Sequence, residues 1–171
     1  MNKRGQFYLL ASIVVVTLVL GFIAFSNTLQ QKSKLNFNYI GDELKIESGN
    51  VIDYSVKNGK DVKSQLINFT ESYSDYSEAD NLYFIFGDTS QITVSGIKKT
   101  ESGSIYVNAG SGNQAVLFDK GVYNSKDFSN PSSQINVTLN QSTYTFPVRT
   151  GENFYFIVSK EVNGDKYIIT S

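Results

Sequence analysis

The sequence predicts an α+β fold: an N-terminal transmembrane helix, then short helices packed on a mostly antiparallel β-sheet domain. Three observations predict it. An almost unbroken apolar run extends from Phe7 to Phe25. Apolar residues at helical spacing follow it. After Asp80 the apolar period changes to two and stays there. The same changes in character divide the chain into a basic leader (1–5), a transmembrane helix (6–26), a polar stalk (27–36) and an extracellular α+β globular domain (37–171).

The apolar run carries no charge, and the hydroxyls of Ser12 and Thr17 can bond back into their own helix. A helix rises about 1.5 Å per residue, so the run spans roughly 30 Å, the thickness of a bilayer core. Leu9, Leu10, Ile13, Val14, Val16, Leu18, Val19, Leu20, Phe22 and Ile23 cover every face, which a soluble surface helix does not do. The expectation is a single-pass protein of the cell membrane, with lipid as a partner, Lys3 and Arg4 inside and the C-terminal domain outside.

From Asn38 onward, Ile40, Leu44, Val51 and Ile52 give partial helical spacing, interrupted by Gly41 and Gly49. The segment 61–77 is clearer. Val62, Leu66, Phe69, Tyr73 and Tyr76 form one helical stripe, and Asn58-Gly59 breaks the chain before it. That stripe is expected to pack on the sheet. Leu82–Phe86 is apolar on both faces, and Gln91–Ser95 alternates. Further strands are expected at 104–108, 114–119, 134–139, 143–148, 154–160 and 166–170, separated by turn residues such as Gly110-Ser111-Gly112-Asn113 and Asn140-Gln141. Asn163-Gly164 between two alternating runs signals a type I′ hairpin. Consecutive hairpins imply one antiparallel sheet, with Ser125–Ser133 as its longest loop.

Composition narrows the function. Residues 1–36 hold four basic residues and no acid, whereas the remainder holds eleven basic and sixteen acidic residues. An acidic globular part argues against nucleic-acid binding, which needs a basic face. The chain has no Cys, His or Trp. Thiolate chemistry, disulfides and the commonest general base and metal ligand are therefore absent, which argues against an enzyme. Nothing in the sequence calls for a cofactor. Glu71, Asp75 and Glu78 share a side of the second helix, with Asp80 beyond, but no Ca²⁺-loop pattern surrounds them, so they read as a solvated face and no metal site. Gly110-Ser111-Gly112 lacks the lysine and helix of a phosphate loop and reads as a turn. Sequons at Asn68, Asn136 and Asn140 are candidate N-glycosylation sites for a domain outside the cell.

The N-terminus itself admits three readings. Lys3 and Arg4 with a cut near Ala24-Phe25-Ser26 would make an ordinary secretory signal, although the run exceeds the usual apolar length. An uncleaved anchor needs only the run and its flanking charges. The third rests on Lys3-Arg4-Gly5-Gln6-Phe7, where the change in character precedes the apolar run. This stretch resembles the class III signal peptide of archaeal type IV pilins and archaellins. The resemblance covers about residues 3–30. It implies that a prepilin-type peptidase cuts between Gly5 and Gln6, that Lys3 and Arg4 orient the precursor, and that the apolar helix is kept. It further implies a pilin-like fold and a homo-oligomer formed through that helix, in a surface filament of structural or adhesive role. One residue departs from the pattern: the fifth mature position, often Glu in pilins, is Leu10. The alternative is a single-pass surface protein whose β-rich domain binds a partner without polymerising.

Overall fold

The computed structural model describes the backbone of residues 3–162 and 165–171, and the side chains of residues 12–23, 39–161 and 166–171. Its elements are α1 (Lys3–Lys57), α2 (Val62–Tyr76), β1 (Asn81–Gly87), β2 (Gln91–Lys98), β3 (Gly103–Asn108), β4 (Asn113–Phe118), β5 (Asn124–Ser129), β6 (Gln134–Leu139), β7 (Ser142–Pro147), β8 (Asn153–Val162) and β9 (Asp165–Thr170). The chain divides into two compact units, Met1–Tyr39 and Ile40–Ser171.

The first unit corrects the predicted fold class. Among the described residues no helix is long and apolar enough to cross a membrane. The transmembrane helix at 6–26, the single-pass anchor and the membrane localisation with an extracellular domain therefore do not stand. Within the stretch, the Thr17 hydroxyl donates to Ile13 O at 2.8 Å, the back-bond its sequence position predicts.

The backbone of α1 continues helically through 27–36 and past Gly41 and Gly49, where the sequence predicts a polar stalk and a broken helix. Gly41 has a packing role. A Cβ there would lie 3.0 Å from Ile169 Cγ2 and 3.8 Å from the Phe156 ring, so the glycine lets the helix lie close to β8 and β9. The buried Leu44, Ser48 and Ser55 continue the same face of α1.

α2 begins with Asp61 as N-cap. Its carboxylate accepts from Ser64 N at 2.8 Å, satisfying one of the orphan amides of the first turn. The predicted stripe packs largely as expected. Leu66 and Tyr73 are buried, and Phe69 meets the Phe154 ring of β8 at 6.2 Å. Tyr76, at its end, is exposed and donates to Glu43 Oε1 at 2.6 Å, tying α2 to α1.

The strands form two antiparallel sheets, ordered β5-β2-β1-β8-β9 and β4-β3-β6-β7, where the sequence predicts one. β1 is central in the larger sheet and buried on both faces, as its unbroken apolar run requires. Leu82, Phe84 and Phe86 face the helices. Tyr83 and Ile85 face the second sheet, where they join Ile92, Val94, Ile105, Val107, Val116, Phe118, Ile135, Val137, Phe146 and Ile157 in the main core. Unit two is thus three layers: helices, five-stranded sheet, four-stranded sheet.

β5 takes up Ser125–Ser129 of the predicted loop 125–133, with Asn124 before it. Phe128 is its one buried side chain, so no alternation marks it. Polar bonds hold it to its neighbours instead. Asp127 accepts from Thr93 Oγ1 at 2.7 Å and from Lys63 Nζ at 2.8 Å. Asn124 Nδ2 and Lys126 Nζ donate to Leu117 O and Ala115 O of β4, at 2.7 and 3.2 Å, blunting that sheet's edge. The β8–β9 register runs out to Val162↔Asp165, and the predicted turn at Asn163-Gly164 lies outside the described residues.

Candidate functional site

The residues predicted to direct processing, Lys3, Arg4, Gly5 and Gln6, belong to the first turns of α1, and their side chains lie outside the described residues. The side chain of Leu10 does too. Beyond them the helix presents an apolar cylinder. Ile13, Val14, Val15, Val16, Leu18, Val19, Leu20, Phe22 and Ile23 are 49% to 73% exposed. Successive residues turn by about 100°, so these nine leave no polar face. A monomer does not normally leave so large a continuous apolar surface in water. Fully burying one such side chain is worth about 1.5–3 kcal/mol, so the whole stretch is a strong drive toward a covering partner. At Gly21 nothing among the described residues lies within 4 Å of an added Cβ.

The three sequon asparagines lie apart. Asn68 is exposed on α2, but the Thr70 hydroxyl of the same sequon is buried, donating to Leu66 O at 2.8 Å and lying 2.6 Å from Tyr123 Oη. Asn136 sits within β6, paired on both sides, with Oδ1 accepting from Thr145 Oγ1 at 2.8 Å. Asn140 is exposed at the tip of the β6–β7 turn. The acidic residues do not converge either. Glu78 pairs with Lys160 at 3.3 Å, and Asp80 accepts from Glu161 N. Among the described residues no three acidic side chains are placed to hold a metal ion.

The sequence reading misses a polar cleft of about 580 Å³ in unit two. It forms where three strands change character at one height. Facing the second sheet, β1 reads Ile85, Tyr83, Asn81, β2 reads Val94, Gly96, Lys98, and β8 reads Tyr155, Ile157, Ser159. The register aligns them, with Asn81 opposite both Lys98 and Ser159. Asn81 Nδ2 donates to Ser159 Oγ at 3.0 Å, while Asn81 Oδ1 is buried without a partner among the described residues. Tyr83 is 2% exposed and lines the cleft, and among the described residues no group hydrogen-bonds its hydroxyl. Burial, with Glu101 nearby, pushes that phenol well above its ordinary pKa, so it stays a neutral donor. The Lys98 amine is largely buried and pairs at 3.4 Å with the exposed Glu101. A recess of about 170 Å³ shares the Tyr83, Asn140 and Ser159 walls and adds Ile157 and Ile168.

No protein-family model, curated protein or solved structure matches this chain.

Proposed function

We propose that the chain is a pilin-like subunit of a type IV pilus-type filament. A prepilin-type peptidase cuts it between Gly5 and Gln6, and its N-terminal helix packs against copies of itself. The observation that carries the reading is the apolar cylinder from Ile13 to Ile23, whose large apolar side chains are all exposed among the described residues. Identical helices packed around one another would bury it all round, which a single flat partner would not. The basic pair and glycine directly before the apolar run supply the second support, through their resemblance to class III signals. The role is structural.

The test is the mature N-terminus, read by intact mass and terminal peptide mapping of protein from its native host, together with electron microscopy of the sheared polymer fraction. The reading expects a chain starting at Gln6 and a filament with the N-terminal helix at its core. Replacing Gly5 should leave the precursor uncut and remove the filament. A mature chain starting at Met1 or at Asn27 overturns it.

A further inference from the structure

The cleft holds a buried acceptor that its own fold leaves unsatisfied, and we propose that it binds a saccharide unit. This inference does not depend on the filament reading. Buried polar groups are almost always paired, because a lost partner costs about 1–3 kcal/mol. Here Asn81 Oδ1 breaks that rule among the described residues, and two residues along the same strand Tyr83 lines the cleft with a hydroxyl that no described group bonds. The ligand must therefore both donate and accept within a short distance, as the hydroxyls of a sugar do.

Charge argues against an ion. The lining holds Lys98, Lys160 and Lys166 against Asp80, Glu101 and Glu161, so no net field selects an anion or a cation. Charged groups at the rim suit a neutral ligand with many hydroxyls, since ammonium groups donate to hydroxyl oxygens and carboxylates accept from hydroxyl hydrogens. The adjoining recess gives the other half of the match. Leu139, Ile157 and Ile168 form an apolar wall beside Tyr83. A pyranose carries one face of C–H groups and a rim of hydroxyls, and it can lay the first on this wall while turning the second toward Asn81, Ser159 and Lys98. A purely apolar ligand would leave the polar row unpaired, and a small ion would leave the recess unfilled.

The experiment is saturation-transfer NMR on the full-length chain, titrated with methyl glucopyranoside, methyl mannopyranoside, methyl galactopyranoside and N-acetylglucosamine. Acetate and methylammonium serve as charged controls. The expected result is saturable transfer to ring C–H protons of at least one pyranoside. Tyr83→Phe keeps the buried ring and removes only the hydroxyl, and it should weaken that binding about three- to tenfold. Asn81→Ala is the second variant and should weaken it similarly, so the test survives if either protein fails to fold. Tyr76→Phe, outside the cleft, should leave it unchanged. Absence of saturable transfer from every pyranoside overturns the proposal. So does binding that both cleft variants leave intact, or equal binding of acetate or methylammonium.

Discussion

Replacing Gln141 by glycine should stabilise the globular unit, because the chain asks a glutamine to do a glycine's work. The β6–β7 hairpin closes through two residues, Asn140 and Gln141, between the paired Leu139 and Ser142. Both have positive φ, 45° and 71°, the conformation of a type I′ turn. Asparagine tolerates that region, but glutamine carries a Cβ crowded by the following carbonyl, at a cost of about 1–2 kcal/mol. Glycine removes that cost but loses more chain entropy on folding, about 0.5–1 kcal/mol. The net gain is about 0.5–1 kcal/mol, or a rise in Tm of roughly 2–5 °C for a unit of this size. Gln141 is exposed, so no packing is lost. Thermal and urea unfolding of the full-length chain, followed by circular dichroism, measure the change, with Gln141→Ala as the control that keeps the Cβ. Asn140→Ala should destabilise by about 1 kcal/mol, because alanine lacks the asparagine's tolerance of αL. A Gln141→Gly protein less stable than wild type, or indistinguishable from Gln141→Ala, would refute the turn assignment and its energetics.

Two further predictions concern stability. Gly49→Ala should stabilise by about 0.8–1 kcal/mol from helix propensity alone, since nothing lies within 4 Å of the new Cβ, whereas Gly41→Ala should gain less or lose, because its Cβ meets Ile169 at 3.0 Å; equal gains in urea unfolding would show that Gly41 has no packing role. Burial raises the Asp127 pKa, but bonds from Lys63 and Thr93 outweigh it and hold the group below its ordinary value. A lowered folded pKa means that the unfolded chain binds more protons, so this stabilisation is present above the unfolded Asp value of about 3.9 and is lost as pH falls through the folded one. Asp61 and Asp88 are lowered in the same direction, by bonds from Ser64 and Ser90 respectively. Stability against urea should therefore fall below about pH 4, and Asp127→Asn should flatten that fall; parallel acid limbs for the two proteins would remove Asp127 from the account.

What the sequence discloses is what local physics decides. The stripe from Val62 to Tyr76 and the two-faced apolar run of β1 needed no partner to be read, because each has its own period. The losses come from decisions taken between elements. Alternation says that Ile105 and Val107 face a core, but not that their strand belongs to a different sheet from β1 and β2. β5 has no alternation, since its place depends on Asp127, Asn124 and Lys126 reaching groups of three other elements. Gly41 looks like a helix breaker until Ile169, far along the chain, explains it. The apolar opening predicts a membrane span from its length, its lack of charge and its apolar faces, but among the described residues no helix is long and apolar enough to cross a membrane.

The cleft is the sharpest instance of information that is present but scattered. Each of three strands moves along one face from apolar to polar: Ile85 to Asn81, Val94 to Lys98, Ile157 to Ser159. Taken singly, each change looks like the ordinary fraying of a strand toward its turn. The register shows that Asn81, Lys98 and Ser159 form one row across three adjacent strands. β3 and β6 pair over only Tyr106–Asn108 with Asn136–Thr138, and Ser104 and Leu139, beyond that pairing, line the cleft with the row. A core built only for stability would end the row in side chains that satisfy one another. Asn81 and Ser159 do so in part, through one hydrogen bond, and leave Asn81 Oδ1 buried without a partner. Tyr83, two residues along β1, turns its hydroxyl to the same cleft, where no described group bonds it. A buried acceptor without a partner beside a phenol open to the cleft is a cost to folding, and a ligand able to donate to one and bond the other offsets it.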